Sequence, residues 1–108
     1  SINTFLATKV TFFNQLYDIA KDHNANYNAI ISAVGSDPRI THSHTTVPGF
    51  DNKRGYGGAC FPKDTAAFNA FAECFSILNE TIKVNNKYRK DYELDEREKE
   101  QNVHYKPV

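Results

Sequence analysis

Helical periodicity in this chain breaks down between residues 41 and 59, and that break limits the possible folds more than any other feature. Irregular segments longer than about 12–15 residues inside a compact domain are usually functional or disordered. This one runs straight into Gly55-Tyr56-Gly57-Gly58-Ala59-Cys60-Phe61-Pro62-Lys63-Asp64, which points to a loop that shapes a ligand site. Glycines let backbone approach a ligand and reach positive φ. Pro62 suits the first turn of a helix, where its missing N–H costs nothing. The residues from Lys63 to Phe68 begin a helical pattern, so Cys60 falls at a helix N-terminus, where the macrodipole favours a thiolate. Lys63 pushes the same way, and Asp64 lies one turn on, within reach of the sulfur.

The rest of the chain reads as helices. Ile2, Phe5, Leu6, Val10, Phe13, Leu16, Tyr17 and Ala20 recur at three- and four-residue spacing, which predicts an amphipathic helix from residue 2 or 3 to Asp22. Asn26 is the expected N-cap of a second helix carrying Tyr27, Ile30, Ile31 and Val34, with Gly35 as its C-cap. Phe68, Phe71, Ala72 and Phe75 stripe a third helix from about Pro62 to Cys74, on which Cys74 is expected to be a packed thiol. A fourth begins near Ser76 or Ile77 with Leu78, Thr81, Ile82, Asn85, Tyr88 and Tyr92 on one side. The mixed charges from Lys83 to Glu100 read as a solvated helix with i,i+4 pairs such as Glu93–Arg97. The expected fold is all-α: about four main helices and a long irregular active-site loop, a fragment of a larger α/β enzyme. Residues 1–94 are assigned to the helical domain and 95–108 to the start of an exposed linker. Both ends read as cut from a longer protein.

Composition narrows the function. Of 108 residues, 13 are Lys or Arg and 13 Asp or Glu, so no broad attraction to nucleic acid or membrane is implied. No apolar run approaches the ~18–20 residues of a membrane span. Two cysteines make no disulfide framework, and a reducing, cytoplasmic setting is expected. His42 and His44 lack a third ligand at metal-site spacing, so no metal is expected. Gly55-x-Gly57-Gly58 lacks the strand and spacing of a dinucleotide fingerprint. Arg39, Lys53 and Arg54 are either anion ligands or ordinary surface charge.

Three motifs carry a resemblance. Asn3-Thr4-Phe5-Leu6-Ala7-Thr8-Lys9 with Phe13-Asn14 behind it, Asp37-Pro38-Arg39-Ile40, and Gly57-Gly58-Ala59-Cys60-Phe61-Pro62-Lys63-Asp64 resemble the central domain of the nucleotide-sugar dehydrogenases, closest to the UDP-glucose 6-dehydrogenases. The resemblance covers residues 1 to about 90. It implies a four-electron, NAD-dependent oxidation of UDP-glucose to UDP-glucuronate through a cysteine thiohemiacetal and thioester. By matched position, Cys60 is the nucleophile, Asp64 activates the hydrolytic water, and Asn3 helps stabilise the oxyanion. Arg39 reaches into the partner subunit's substrate site of a homodimer, with Phe5, Phe12 and Phe13 at the subunit interface. Gly55, Tyr56 and Gly57 lie along the nucleotide sugar, and Lys63 approaches the dinucleotide. The family's lysine four residues before Asn3 falls outside this sequence, as do the dinucleotide- and nucleotide-holding domains. The chain alone is therefore expected to be inactive. Lys9 is not that lysine but a helix-surface residue. The alternatives are a non-catalytic helical dimerisation module, a dehydrogenase of GDP-mannose or another UDP-sugar, and a zinc module.

Overall fold

The computed structural model describes residues 1–106. Five helices follow one another: α1 (Ile2–Asp22), α2 (Tyr27–Gly35), α3 (Cys60–Phe71), α4 (Ser76–Arg89) and α5 (Glu96–Glu100). The described residues contain no strand, so the expected all-α architecture is what forms. α1 is the hub, packing against α2, α3 and α4, while α3 and α4 also touch each other.

Two faces of α1 do different work. One buries Phe13 and Ala20 with Tyr27 and Val47, and Leu16, Tyr17, Ile30, Ile31 and Ile40 pack around them. The other buries Thr4, Ala7, Thr11 and Asn14, small or polar side chains that let α3 and α4 come close. Their donors are satisfied by nearby carbonyls: Thr11 Oγ1 donates to the Ala7 carbonyl and Asn14 Nδ2 to the Val10 carbonyl, both at 2.9 Å, the usual i−4 back-bonding of such residues. This second face carries no apolar periodicity. Ile2 and Phe5, read as part of the packed stripe, are largely exposed.

The shorter elements are set by local chemistry. Asn26 caps α2 as expected, its side chain accepting from Ala29 N–H at 3.1 Å. Gly35 ends α2, but Ser36 follows in a right-handed conformation, so no left-handed cap forms. Gly35 is needed for space, because a Cβ there would meet the His42 ring at 2.5 Å. α3 starts at Cys60 and stops at Phe71, short of Cys74. Cys74 therefore lies in the α3–α4 turn and is exposed, not the packed thiol expected. α4 ends at Arg89 and leaves Glu93 outside any helix, so Glu93 and Arg97 share no helical face. The charged helix pairs seen instead are Glu80–Lys83 and Glu96–Lys99, both i,i+3.

The described residues after 94 are mostly exposed, but two of them, Glu98 and Val103, are buried. Asp95 caps α5 in a reciprocal box with Glu98, and Glu98 is buried to 1% exposure. Val103 is buried as well, its N–H bonding the Glu98 carbonyl at 2.9 Å, and Asn86 Nδ2 reaches the Lys106 carbonyl at 2.6 Å. The segment read as an exposed linker is thus anchored to α4 through Arg89 and Asn86 as far as residue 106. Residues 107 and 108 of that assignment lie outside the described residues.

Candidate functional site

Cys60 is the first residue of α3, and its thiol is free and exposed. Ala59 precedes it without a side-chain cap, so the first-turn N–H groups of α3 are open to other acceptors. Thr65, buried below this turn, returns its hydroxyl to the Phe61 carbonyl at 2.7 Å. Asp64 is exposed on the same helix, and its Oδ2 accepts from Asn3 Nδ2 of α1 at 2.6 Å. Residues 61 positions apart are thereby joined at the turn that carries the sulfur. Lys63 is exposed beside them.

The loop before Cys60 is fixed by polar groups from two helices, α1 and α4. Gly55 sits at φ 74°, a left-handed conformation that side-chained residues resist. Its N–H donates to Asn14 Oδ1 at 2.9 Å. Tyr56 N–H donates to Asn85 Oδ1 at 2.7 Å, and Asn85 Nδ2 returns to the Tyr56 carbonyl at 3.0 Å. Arg89 Nη2 donates to the Gly55 carbonyl at 3.1 Å and to Asp51 Oδ2 at 2.8 Å. A Cβ on Gly57 would collide with the Arg89 guanidinium, so this position must lack a side chain.

Above the loop lies a cleft of about 590 Å³, lined by Gly55 to Gly58, Phe61, His42, His44, Phe50, Arg89 and Arg97 among others. Cys60 stands just outside this lining, between Gly58 and Phe61, which belong to it. The Tyr56 ring is buried beneath the loop, edge-on to Phe61 at 6.2 Å. Burial pushes its phenol pKa up, with the Thr65 hydrogen bond opposing. Its backbone groups are taken by Asn85, so what Tyr56 offers the cleft is shape.

Three cations read from the sequence separate here. Arg54 is consumed internally, bonded to the Asn14 side chain and carbonyl at 2.8 Å and to Asp18 at 2.9 Å. Its guanidinium lies 4.6 Å from the Tyr17 ring centre and 4.7 Å from that of Tyr88. Lys53 Nζ donates to the Glu93 carbonyl at 3.1 Å. Arg39 is apart from the cleft, its side chain 86% exposed and bonded to Asp37 through Nε at 3.0 Å, Nη2 at 2.7 Å and its own N–H at 2.8 Å. Those bonds hold the Asp37 carboxyl below the usual range. Lys9, read as a surface lysine, donates to the Ile40 carbonyl at 2.6 Å and ties the loop to α1.

The structure therefore brings Asn3, Asp64 and Cys60 to one edge and Gly55, Tyr56 and Gly57 to the adjoining cleft. A model of the "UDP-glucose/GDP-mannose dehydrogenase family, central domain" matches residues 1–87. This chain belongs to that family. Among similar proteins are UDP-glucose 6-dehydrogenase YwqF of Bacillus subtilis (strain 168), 41% identical over 88 residues, and the UDP-glucose 6-dehydrogenase of Streptococcus pneumoniae, 41% identical over 91 residues. The first alignment covers 78% of this chain and 19% of the relative, the second 83% and 22%. The chain thus spans about a fifth of the length of the nucleotide-sugar dehydrogenases it matches. For the dinucleotide that the resemblance implies, the described residues contain no strand–turn–helix cradle. By themselves they do not fit a whole dinucleotide. No helix among them is long and apolar enough to cross a membrane.

Sequence reasoning missed Asn14, Asn85, Arg89 and Glu98 as the residues that fix the loop. Asn14 stands behind the first motif and Asn85 on the α4 stripe, and neither spacing marks a loop ligand.

Proposed function

We propose that this chain is the central domain of an NAD-dependent UDP-glucose 6-dehydrogenase in which Cys60 is the nucleophile, and that the chain alone is inactive. The observation that carries the reading is the Asn3–Asp64 hydrogen bond, 2.6 Å, at the helical turn that starts with exposed Cys60. Two steps fall to this chain's own residues. In the first, the Cys60 sulfur adds to the carbonyl carbon of the C6 aldehyde, and the oxygen takes the electron pair and then a proton, giving a thiohemiacetal. In the second, water adds to the thioester at the same carbon, Asp64 takes its proton, and the sulfur leaves from the uronate. One N–H of the Asn3 amide is engaged by Asp64, which leaves the other for the oxyanion. The oxidations that connect alcohol, aldehyde and thioester require a hydride acceptor of the dinucleotide class, held outside this chain and met by Lys63.

Gly55, Tyr56 and Gly57 line the sugar-nucleotide cleft in this reading, and a reducing, cytoplasmic setting suits the two free cysteines. In this reading every residue given a catalytic or binding role lies within residues 1–94. Both thiols are exposed, so comparing them isolates the effect of the helix start. Iodoacetamide near neutral pH is expected to alkylate Cys60 faster than Cys74, read by peptide mass spectrometry. Equal, slow labelling of both would overturn the nucleophile assignment and favour a scaffold role.

The active unit is a homodimer in this reading, with Arg39 serving the partner's site. Ile2, Phe5, Phe12 and Ile19 expose apolar surface along α1, and Ile77 adds to it from α4. Phe13, at 4% exposure, belongs to the core instead. Light scattering at high micromolar concentration is expected to give twice the chain mass, and a strictly monomeric mass would sink the proposal.

A further inference from the structure

We propose that Asn85 and Arg89 of α4 are positioning residues for the Gly55–Gly57 backbone beside Cys60, and that Glu98 of α5 sets where the Arg89 guanidinium lies. The proposal rests on the reading of that loop as the cleft wall and goes beyond it, to residues with no role in the chemistry. Asn85 is 1% exposed and spends both ends of its amide on one residue, accepting from Tyr56 N–H and donating to the Tyr56 carbonyl. An amide that pairs with both backbone groups of one residue fixes its position and its rotation at once.

Arg89 supplies the second constraint. Its side chain is 2% exposed, and Nη2 bridges the Gly55 carbonyl and Asp51. Nε and Nη1 are buried without a hydrogen-bond partner, although Nη1 lies 4.0 Å from Glu98 Oε2. A buried cation left with unbonded N–H groups is costly, so a role for Arg89 must come from what its remaining contacts hold. The charge of Glu98, itself 1% exposed and accepting from Tyr105 Oη, keeps the guanidinium against Gly57. The glycine at 57 gives the guanidinium its room. Both bonds leave the one nitrogen Nη2, whose N–H directions are set by the guanidinium plane, and an ammonium on a flexible stem has donors but no such fixed plane.

The test uses the 108-residue chain carrying Arg89→Lys or Asn85→Asp, with amide hydrogen exchange read by peptide mass spectrometry. Arg89→Lys keeps the charge opposite Glu98 and loses the plane that directs the two Nη2 bonds. Asn85→Asp keeps the acceptor for Tyr56 N–H and loses the donor. Exchange at residues 55–58 is expected to rise about tenfold more than at α1 amides in each, the scale of one hydrogen bond lost at a buried partner, since α1 amides follow only the change in global stability. The ratio of Cys60 to Cys74 alkylation rates is expected to shift by about threefold or more, a readout that a small rise in global unfolding does not move because both thiols are already exposed in the folded chain. Unchanged loop exchange and an unchanged ratio in either folded variant would overturn the proposal. If Arg89→Lys fails to fold by circular dichroism, Asn85→Asp decides alone. If Cys60 and Cys74 react equally in the unmodified chain, the nucleophile assignment fails, and loop exchange still judges the positioning role.

Discussion

The two interiors that meet on α1 are built on opposite plans. On one side Phe13, Ala20, Tyr27 and Val47 form an apolar cluster with α2 and the start of the long loop. On the other, Asn14, Asn85, Arg89 and Glu98 are just as buried, yet most of their contacts are hydrogen bonds or charge. Apolar packing is non-directional and tolerates swaps that conserve volume. Hydrogen bonds to loop backbone are directional, and losing one partner strands the other. The first interior therefore holds helices together, and the second holds a loop in one conformation.

Substitutions in each interior sharpen the contrast. Phe13→Ala is expected to cost about 3–5 kcal/mol, the usual range for emptying a buried Phe site, and to raise exchange throughout the chain. Asn85→Ala is expected to cost about 2–6 kcal/mol, since it orphans two backbone groups of Tyr56 at about 1–3 each, and its exchange changes should concentrate in residues 55–58. Urea denaturation gives the totals and peptide-resolved exchange their distribution. Matching distributions for the two variants would erase the distinction drawn above.

A smaller effect is expected at alkaline pH, in the apolar interior. Burial raises the Tyr27 phenol to about 12, although the Arg54 charge pulls it down. Its hydroxyl donates to the Thr45 carbonyl at 2.5 Å, a bond only the protonated form can make. The unfolded value is about 10, so the fold binds the proton more tightly. This contribution is whole below pH 10 and is lost as pH rises through 12. Two pH units correspond to about 2–3 kcal/mol. Tyr27→Phe should be less stable than the parent at pH 8, and the gap should close between pH 10 and 12. Tyr56, Tyr88 and Tyr105 are also raised, mainly by burial, but both proteins carry them and they drop out of the difference. Parallel stability curves for the two proteins would refute the assignment.

The two interiors also differ in how plainly the sequence announces them. Phe13, Leu16, Tyr17 and Ala20 repeat at helical spacing, so that face of α1 and the α2 side chains opposite it can be read directly. Asn26 as a cap and Cys60 at the head of α3 follow from local stereochemistry. Thr4, Thr11 and Asn14 are polar by any hydropathy scale, and periodicity assigns them to solvent. Their burial depends on i−4 carbonyls and loop N–H groups that only the tertiary fold brings near. Glu98 was hidden by its charged neighbours, although Asp95 three residues before it is the start of a legible capping box. Cys74 was misjudged because α3 ends a turn earlier than the phenylalanine stripe suggests. Of the site, the Cys60 turn and the glycine loop were visible as motifs. The Asn3–Asp64 contact was not, because two residues on different helices have no local signature of meeting.

Arg39 ends as an outlying cation with a rigid mount. An exposed arginine ordinarily samples many rotamers, and docking against another surface must freeze them. Here the neighbouring Asp37 grips both the backbone N–H and the guanidinium of Arg39, so much of that freedom is already gone in the isolated chain. Whatever meets this face encounters a charge held at a fixed height and angle, and association loses less disorder than a free side chain would surrender.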